Sequence, residues 1–351
     1  MKSYKHLYPQ IWSFENLYLA YRKARKGKRA REGAASFERI QEEQLLSLQE
    51  ELITKSYSPG AYHSFYIHDP KKRLISAAPF RDRVIHHALC RVIEPIWECR
   101  FIHDTYANRV GKGTHRALDR TTQFARQYRY VLQCDIRQFF PSIDHNILLT
   151  ELAHRIHDPE ALWLCSRILY SGVDVLAEEY QMTWFPGDDL LAAIRPRGLP
   201  IGNLTSQFWA NVYLNNLDHF IKRELKCPAY LRYVDDFLLF SDEKKCLHDW
   251  RDAIIEKLAE IRLKIHEESA QVFPVNTGIP FLGFRIYPDH RRVKSRKVIH
   301  FRRKLKTMVS DYSMGKIPIS SLHASIQGWI NHVRYADSWG LRRSILGGAV
   351  L

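Results

Sequence analysis

No stretch of this sequence reaches the roughly 18 consecutive apolar residues that a membrane-spanning helix needs. The opening residues also lack the continuous apolar run and small-residue cleavage site of a secretory signal. No membrane partner is expected. Six cysteines (Cys90, Cys99, Cys134, Cys165, Cys227 and Cys246) form no C-x-x-C pair. That excludes a zinc ribbon or a disulfide framework and predicts reduced, mostly buried thiols. The histidines show no metal-ligand spacing either; His86-His87, His154 and His157 read as core or surface residues. Internal repeats and low-complexity linkers are missing. Acidic residues are in short supply, 38 against 53 Lys and Arg, leaving a net charge of +15 over 351 residues. A surplus of that size predicts a polyanionic partner, most often nucleic acid. With 45% hydrophobic and 26% charged residues the chain folds rather than staying disordered.

What is present alternates between helical and strand patterns. Ile40, Leu45, Leu48 and Leu52 predict a helix over 38–53, and residues 21–31 before it hold seven Lys or Arg. Residues 62–80 predict a hairpin around an Asp69-Pro70-Lys71-Lys72 turn. A buried helix is predicted over 82–100, kinked or ended by Pro95. A strand is predicted over 129–136, then helices from Asn146 and over 159–170. Residues 184–198 read as a loop or short hairpin, and 203–224 as one long helix. Residues 230–241 read as a hairpin around Asp235-Asp236, 248–263 as an amphipathic helix, and 279–288 as a strand pair. At Arg291 the composition shifts. Residues 291–306 hold nine Lys or Arg and no acid, and the rest is helical, which marks a domain boundary.

Asp135 closes the predicted strand and Asp235-Asp236 sit at a hairpin tip. Carboxylates at strand ends from separate parts of a sheet can converge. Mg²⁺ takes oxygen ligands, usually one or two carboxylates plus substrate phosphates. Two such ions about 4 Å apart activate an attacking hydroxyl and neutralise a leaving pyrophosphate. Taken singly, a polar turn explains Asp235-Asp236 and a helix N-cap explains Asp135.

The order of motifs decides between these readings. Seven blocks follow in sequence: Lys72-Arg73-Leu74-Ile75 with Arg81-Asp82-Arg83-Val84; Tyr106 to Gly113; Asp135 to His145; Gly198 to Gln207; Tyr233-Val234-Asp235-Asp236; Leu263 to His266; and Phe281-Leu282-Gly283-Phe284. In this order the chain resembles the reverse transcriptases of bacteria and mobile introns. The resemblance implies a right-hand polymerase of α+β class, with a small antiparallel palm sheet, fingers and a helical thumb. Residues 1–125 would be the N-terminal region and fingers, 126–290 the palm with a fingers insertion at about 155–200, and 291–351 the thumb.

Residue by residue, the resemblance implies that Asp135 and Asp235 bind two Mg²⁺ ions (Mn²⁺ serving as an alternative), helped by the Ile136 carbonyl and by Asp236. Lys72 and Arg73 would grip the triphosphate, the planar guanidinium suiting phosphate. Phe140 would lie under the sugar and exclude a 2′-hydroxyl by a steric clash, with Phe139 in the core. Ile201, Gly202 and Gln207 would contact the nucleotide. Arg83, Arg109, Tyr233, Phe281, Leu282, Gly283, Arg302, Arg303 and Lys304 would contact template or primer. Where relatives often carry a lysine proton donor after the sixth block, this chain has His266-Glu267-Glu268, and Lys264, His266 or water is left for that role.

Ile201-Gly202 and Ser206-Gln207 replace the Gln-Gly and Ser-Pro of intron and retron enzymes. That swap resembles the reverse transcriptases of diversity-generating retroelements, which copy a template-repeat RNA with errors at adenines. Implied partners are template RNA, its cDNA, dNTPs and a small basic accessory protein, often a pentamer. A cytoplasmic location in a bacterium or on phage-encoded expression is implied too. A retron-like or phage-defence reverse transcriptase and a catalytically inactive RNA-binding scaffold are the alternatives.

Overall fold

A computed structural model describes residues 4–68 and 72–347. Two compact units divide them. One draws on the chain up to His103, Asp135–Lys226 and Asp252–His266; the other on Asp104–Cys134, Cys227–Arg251 and the chain from Glu267.

The first unit is mostly helical. Helix Phe14–Arg25 packs Leu17, Ala20, Tyr21 and Ala24 into the core, as helix Phe80–Glu98 does Val84, Ile85, Ala88 and Leu89. The buried amide of Asn16 joins them, donating to the Ile11 and Ala88 carbonyls at 2.9 and 3.1 Å. Helix Phe80–Glu98 runs three residues past Pro95. Pro95 cannot donate to the Arg91 carbonyl one turn back and its ring crowds that group, at a cost of about 3 kcal/mol or more. The buried Ile93, Ile96 and Trp97 around it contribute about 2 kcal/mol each, and the helix survives. The helix expected over 38–53 is two, Glu32–Arg39 and Gln41–Ile53, because Ile40 leaves helical geometry at φ −129 and ψ 41. The stretch expected as one helix over 203–224 is broken at Leu214 into Leu204–Tyr213 and Asn215–His219, then a π turn Phe220–Glu224. That wider turn keeps Ile221 buried with Leu217. Strands β1 (His63–Ile67) and β2 (Arg73–Ala77) form the expected hairpin, Ile67 opposite Arg73. The Asp69-Pro70-Lys71 part of its turn lies outside the described residues. Between 184 and 198 stands a loop with a 3-10 turn, Leu190–Ile194.

Two neighbouring histidines on helix Phe80–Glu98 make the unit acid-sensitive. Burial lowers His86 from 6.5 to about 3; burial and then Lys28 and Lys23 lower His87 to about 4. Both are neutral when folded, whereas the unfolded chain protonates them near 6.5. The stability they contribute is complete above pH 6.5 and is lost as pH falls toward the folded values. His86 alone is expected to remove about 2 kcal/mol between its unfolded pKa and about pH 5. Urea unfolding at the two pH values checks this. His86→Leu is expected to flatten the dependence; an unchanged slope in that variant assigns it elsewhere.

The second unit, which takes β3 as far as Cys134, is built on a four-stranded sheet: β3 (Tyr130–Asp135), β4 (Ala229–Tyr233), β5 (Asp236–Ser241) and β6 (Val272–Pro274), in the order β4-β5-β3-β6. A second antiparallel sheet holds β7 (Ile279–Phe281), β8 (Phe284–Ile286) and β9 (Arg291–Val293). Leu231, Leu238 and Phe240 of the first sheet share a core with Phe281 and Phe284 of the second and with Leu118 and Phe124 of helix Thr114–Gln127. Strands β4 and β5 are buried at consecutive positions, Tyr230 and Leu231 on one and Phe237 to Phe240 on the other, so both faces of this hairpin are covered and its apolar runs are continuous rather than alternating. Residues 291–293 thus belong to a sheet, and the helical segment starts at Ser295. Helices Ser295–Ser313, Ile319–Val333 and Trp339–Leu346 enclose a small core in which Phe301 stacks on Trp329 with ring centres 4.2 Å apart. None of the described helices is long and apolar enough to cross a membrane.

Candidate active site

The β4–β5 hairpin turns in two residues. Tyr233 pairs with Asp236, leaving Val234 and Asp235 as the turn. Val234 stands at φ 60, a left-handed conformation that β-branched residues avoid. The Tyr233 hydroxyl lies 3.0 Å from Thr114 Oγ1. On β3, the neighbour of β5, Gln133 Nε2 donates to Asp236 Oδ1 at 3.2 Å and to the Pro280 carbonyl at 3.2 Å. Asp135, two residues on and last in β3, shares the Gln133 face of that strand by alternation. Its carbonyl accepts the His266 N–H at 2.9 Å. Ile136 forms an antiparallel bridge with Ile265, so the sixth motif runs beside the third. Lys264 places its ammonium 5.4 Å from the Phe185 ring centre.

After Asp135 the chain turns sharply through Gln138, at φ 47. Gln138 Nε2 donates to the Glu179 carbonyl at 2.9 Å. The two phenylalanines then part. Phe139 is buried in the core, whereas Phe140 is half-buried, and the Phe140 carbonyl accepts the Leu199 N–H at 2.9 Å. The third and fourth motifs therefore touch. The fourth is fastened to β2: the Ser76 N–H donates to the Ile201 carbonyl at 2.8 Å. Asn203 clamps the same place, accepting from the Ala78 N–H at 3.1 Å and donating to the Ser76 and Pro200 carbonyls at 2.8 and 3.0 Å. Gly202 between them has φ 116, and a Cβ there would stand 3.0 Å from Ile75 Cγ2. Only glycine fits without strain. Gln207 is half-buried on the following helix.

The remaining expected contacts divide by unit. In the first, Lys72 and Arg73 are exposed at the start of β2, with the Lys72 ammonium 4.1 Å from the Tyr66 ring centre. Arg83 Nε donates to the Ala78 carbonyl at 2.7 Å. In the second, Arg109 donates to Thr105 Oγ1 at 2.5 Å. Phe281 is fully buried, and the β7–β8 turn is Leu282 at φ 46 and Gly283 at φ 90. Arg302, Arg303 and Lys304 are exposed on helix Ser295–Ser313. The N-terminal basic run is partly neutralised, because Glu38 pairs with Arg25 at 2.5 Å and with Arg29 at 2.7 Å. Sequence reasoning gave no role to Gln133, Asn203 or Arg232. A polar residue two before Asp135 and an asparagine directly after Gly202 were the available signals for the first two.

The family model described as reverse transcriptase (RNA-dependent DNA polymerase) matches residues 67–286. The chain belongs to that family. Its fold is the α+β reverse-transcriptase polymerase fold, with small antiparallel sheets, and it carries an RNA-directed DNA polymerase domain. This reverse transcriptase is 23% identical to Protein YkfC of Escherichia coli (strain K12), over 73% of this chain and 74% of that protein. It is 24% identical to the Group II intron-encoded protein LtrA of Lactococcus lactis subsp. cremoris, over 65% of this chain and 37% of LtrA. Apo telomerase from Candida Tropicalis, truncated from its C-terminal domain, aligns with a TM-score of 0.48 at 10% identity, over 70% of this chain and 59% of that one. The alignments thus span little more than a third of LtrA and about three-fifths of the telomerase chain.

Reverse transcriptase domains use divalent metals such as Mg²⁺. Among the described residues no three His, Cys, Asp or Glu side chains form a group able to hold a metal ion. A ready-made cage is not needed for Mg²⁺, which takes one or two carboxylates and completes its shell with water and substrate phosphate. Carboxylates, such as that of Asp135 at the end of β3 and that of Asp235 in the β4–β5 turn, are the class of hard oxygen donor that such an ion takes.

Proposed function

We propose that this protein copies a template-repeat RNA into error-prone cDNA as the reverse transcriptase of a diversity-generating retroelement. The reading of its chemistry rests on one observation: a two-residue turn carries Asp235 beside Asp236, in a sheet whose neighbouring strand ends in Asp135. Asp135, Asp235 and Asp236, with the Ile136 carbonyl, would hold two Mg²⁺ ions. Those ions, when bound, lower the barrier to attack by the primer 3′-hydroxyl and neutralise the departing pyrophosphate. The chain's own residues bind and orient. Lys72 and Arg73 take the triphosphate, and Phe140 with Ile201, Gly202 and Gln207 bounds the sugar and base. Fingers would take 1–125, the palm 126–290 with a fingers insertion at about 155–200, and the thumb 291–351, its helices beginning at Ser295 after strand β9. Exposed Arg302, Arg303 and Lys304 lie on a helix with no acid in its first turns, which suits a duplex backbone. A small basic accessory protein and a cytoplasmic setting complete the proposal.

Support for the retroelement assignment is local. Ile201 brings no side-chain hydrogen bond to the nucleotide, and a site without one discriminates less between right and wrong geometries. Ile201→Gln is expected to lower errors opposite template adenine by several-fold, read by sequencing cDNA from a defined RNA. An unchanged error spectrum places fidelity elsewhere. The similarity to LtrA favours a second reading, an accurate enzyme serving an intron RNA. Wild-type cDNA without an excess of errors at adenines decides for that one.

A further inference from the structure

We infer that Arg232 is a positioning residue that holds the strained Val234–Asp235 turn and thereby sets where the Asp235 carboxylate stands. The inference rests on the reading of Asp235 as a catalytic carboxylate. A two-residue hairpin turn with a left-handed first position ordinarily carries glycine or asparagine there. Here the residue is Val234, at φ 60. A β-branched side chain in that conformation persists only where its surroundings enforce it.

Arg232 supplies the enforcement. Its side chain is almost wholly inside the protein, 1% exposed, and Nη1 donates to the Val234 carbonyl at 2.9 Å. Its backbone is fixed from the opposite side. The Arg232 N–H donates to the Asp104 carbonyl at 2.9 Å, and the Arg232 carbonyl accepts the Tyr106 N–H at 3.0 Å. Asp104 is held in turn by the Tyr106 hydroxyl at 2.8 Å and by Arg120 Nε and Nη2 at 3.1 and 3.2 Å. The Val234 carbonyl belongs to the peptide plane that leads directly into Asp235. Fixing that oxygen fixes the plane, and with it the direction in which the Asp235 side chain leaves the turn. A planar guanidinium does this in one orientation; a lysine ammonium, free to rotate on a flexible stem, does not. Burying a cation to stabilise the sheet alone would be a poor exchange, since apolar residues stabilise equally well.

The test is a double-mutant cycle on the full chain: Arg232→Lys, Val234→Gly and the pair. Glycine adopts φ 60 without strain, so the arginine has less to hold in that background. Arg232→Lys alone is expected to lower kcat by about tenfold or more, leaving primer–template affinity and the dNTP KM within about twofold. The pair is expected to recover most of the loss. Thermal melting without metal is expected to show the same coupling, with a smaller drop from Arg232→Lys in the glycine background. Equal losses in both backgrounds, or a lower melting temperature with kcat unchanged, overturn the inference. If Arg232→Lys does not fold, the pair is expected to; an unfolded pair also overturns it. Asp235→Asn separates the two claims. If that variant polymerises normally, the catalytic reading fails. If it is inactive while folded Arg232→Lys keeps its kcat, only the role of Arg232 fails.

Discussion

Asp235→Asn and Asp135→Asn are each expected to reduce Mg²⁺-dependent primer extension by roughly 10³-fold. Asparagine keeps the shape of aspartate and removes its charge. A hard divalent cation binds a neutral amide oxygen far less well than a carboxylate. Little else is expected to change, because Asp135 is fixed through its carbonyl, which accepts the His266 N–H, and Asp235 stands in a turn whose register is set by the strands either side. Circular dichroism and RNA binding measured beside the extension assay are expected to match the wild type. Robust extension by either variant would remove these residues from the active centre.

Phe140→Ala is expected to raise ribonucleotide incorporation relative to deoxynucleotide by roughly 10²-fold, since truncating the ring removes the clash with a 2′-hydroxyl. The structure makes the substitution practicable. Phe140 is half-buried, unlike Phe139, and its link to the fourth motif runs through its backbone carbonyl to Leu199. Its truncation is expected to cost about 2 kcal/mol, below the range for a fully buried ring. Single-nucleotide incorporation with matched rNTP and dNTP pairs reads the ratio. A wild-type ratio would put the gate at another residue.

Several features were legible in the sequence because they depend on near neighbours. The β1–β2 hairpin follows from alternation around a turn, the β4–β5 hairpin from two short apolar runs around an Asp pair, and helix Pro159–Tyr170 from apolar spacing after Asp158, whose Oδ1 accepts two backbone N–H groups. Helix limits were less legible. Pro95 is a local stop signal that burial of Ile96 and Trp97 overrides. Ile40 and Leu214 carry no breaker signal, yet the helices divide there. Among the site residues, the carboxylates announced themselves through motif order, whereas Asn203 and Arg232 are ordinary letters until the partners of their side chains are known.

By itself the sequence determined the family, the strand-end placing of Asp135 and the hairpin placing of Asp235-Asp236. Short apolar runs, the polar pair between two of them and motif order are properties of the chain read in one direction. Only the tertiary structure decided which groups hold those residues in place. Ser76 and Asn203 are 127 positions apart, and so are bonded for reasons that no local pattern encodes. Gln133 meets Asp236 across 103 positions. The strain at Val234 is likewise invisible in sequence, since a valine there is unremarkable until its φ and the guanidinium on its carbonyl are seen together. Long-range hydrogen bonds form only once apolar burial has brought distant segments together, and that step is the one a linear reading does not contain.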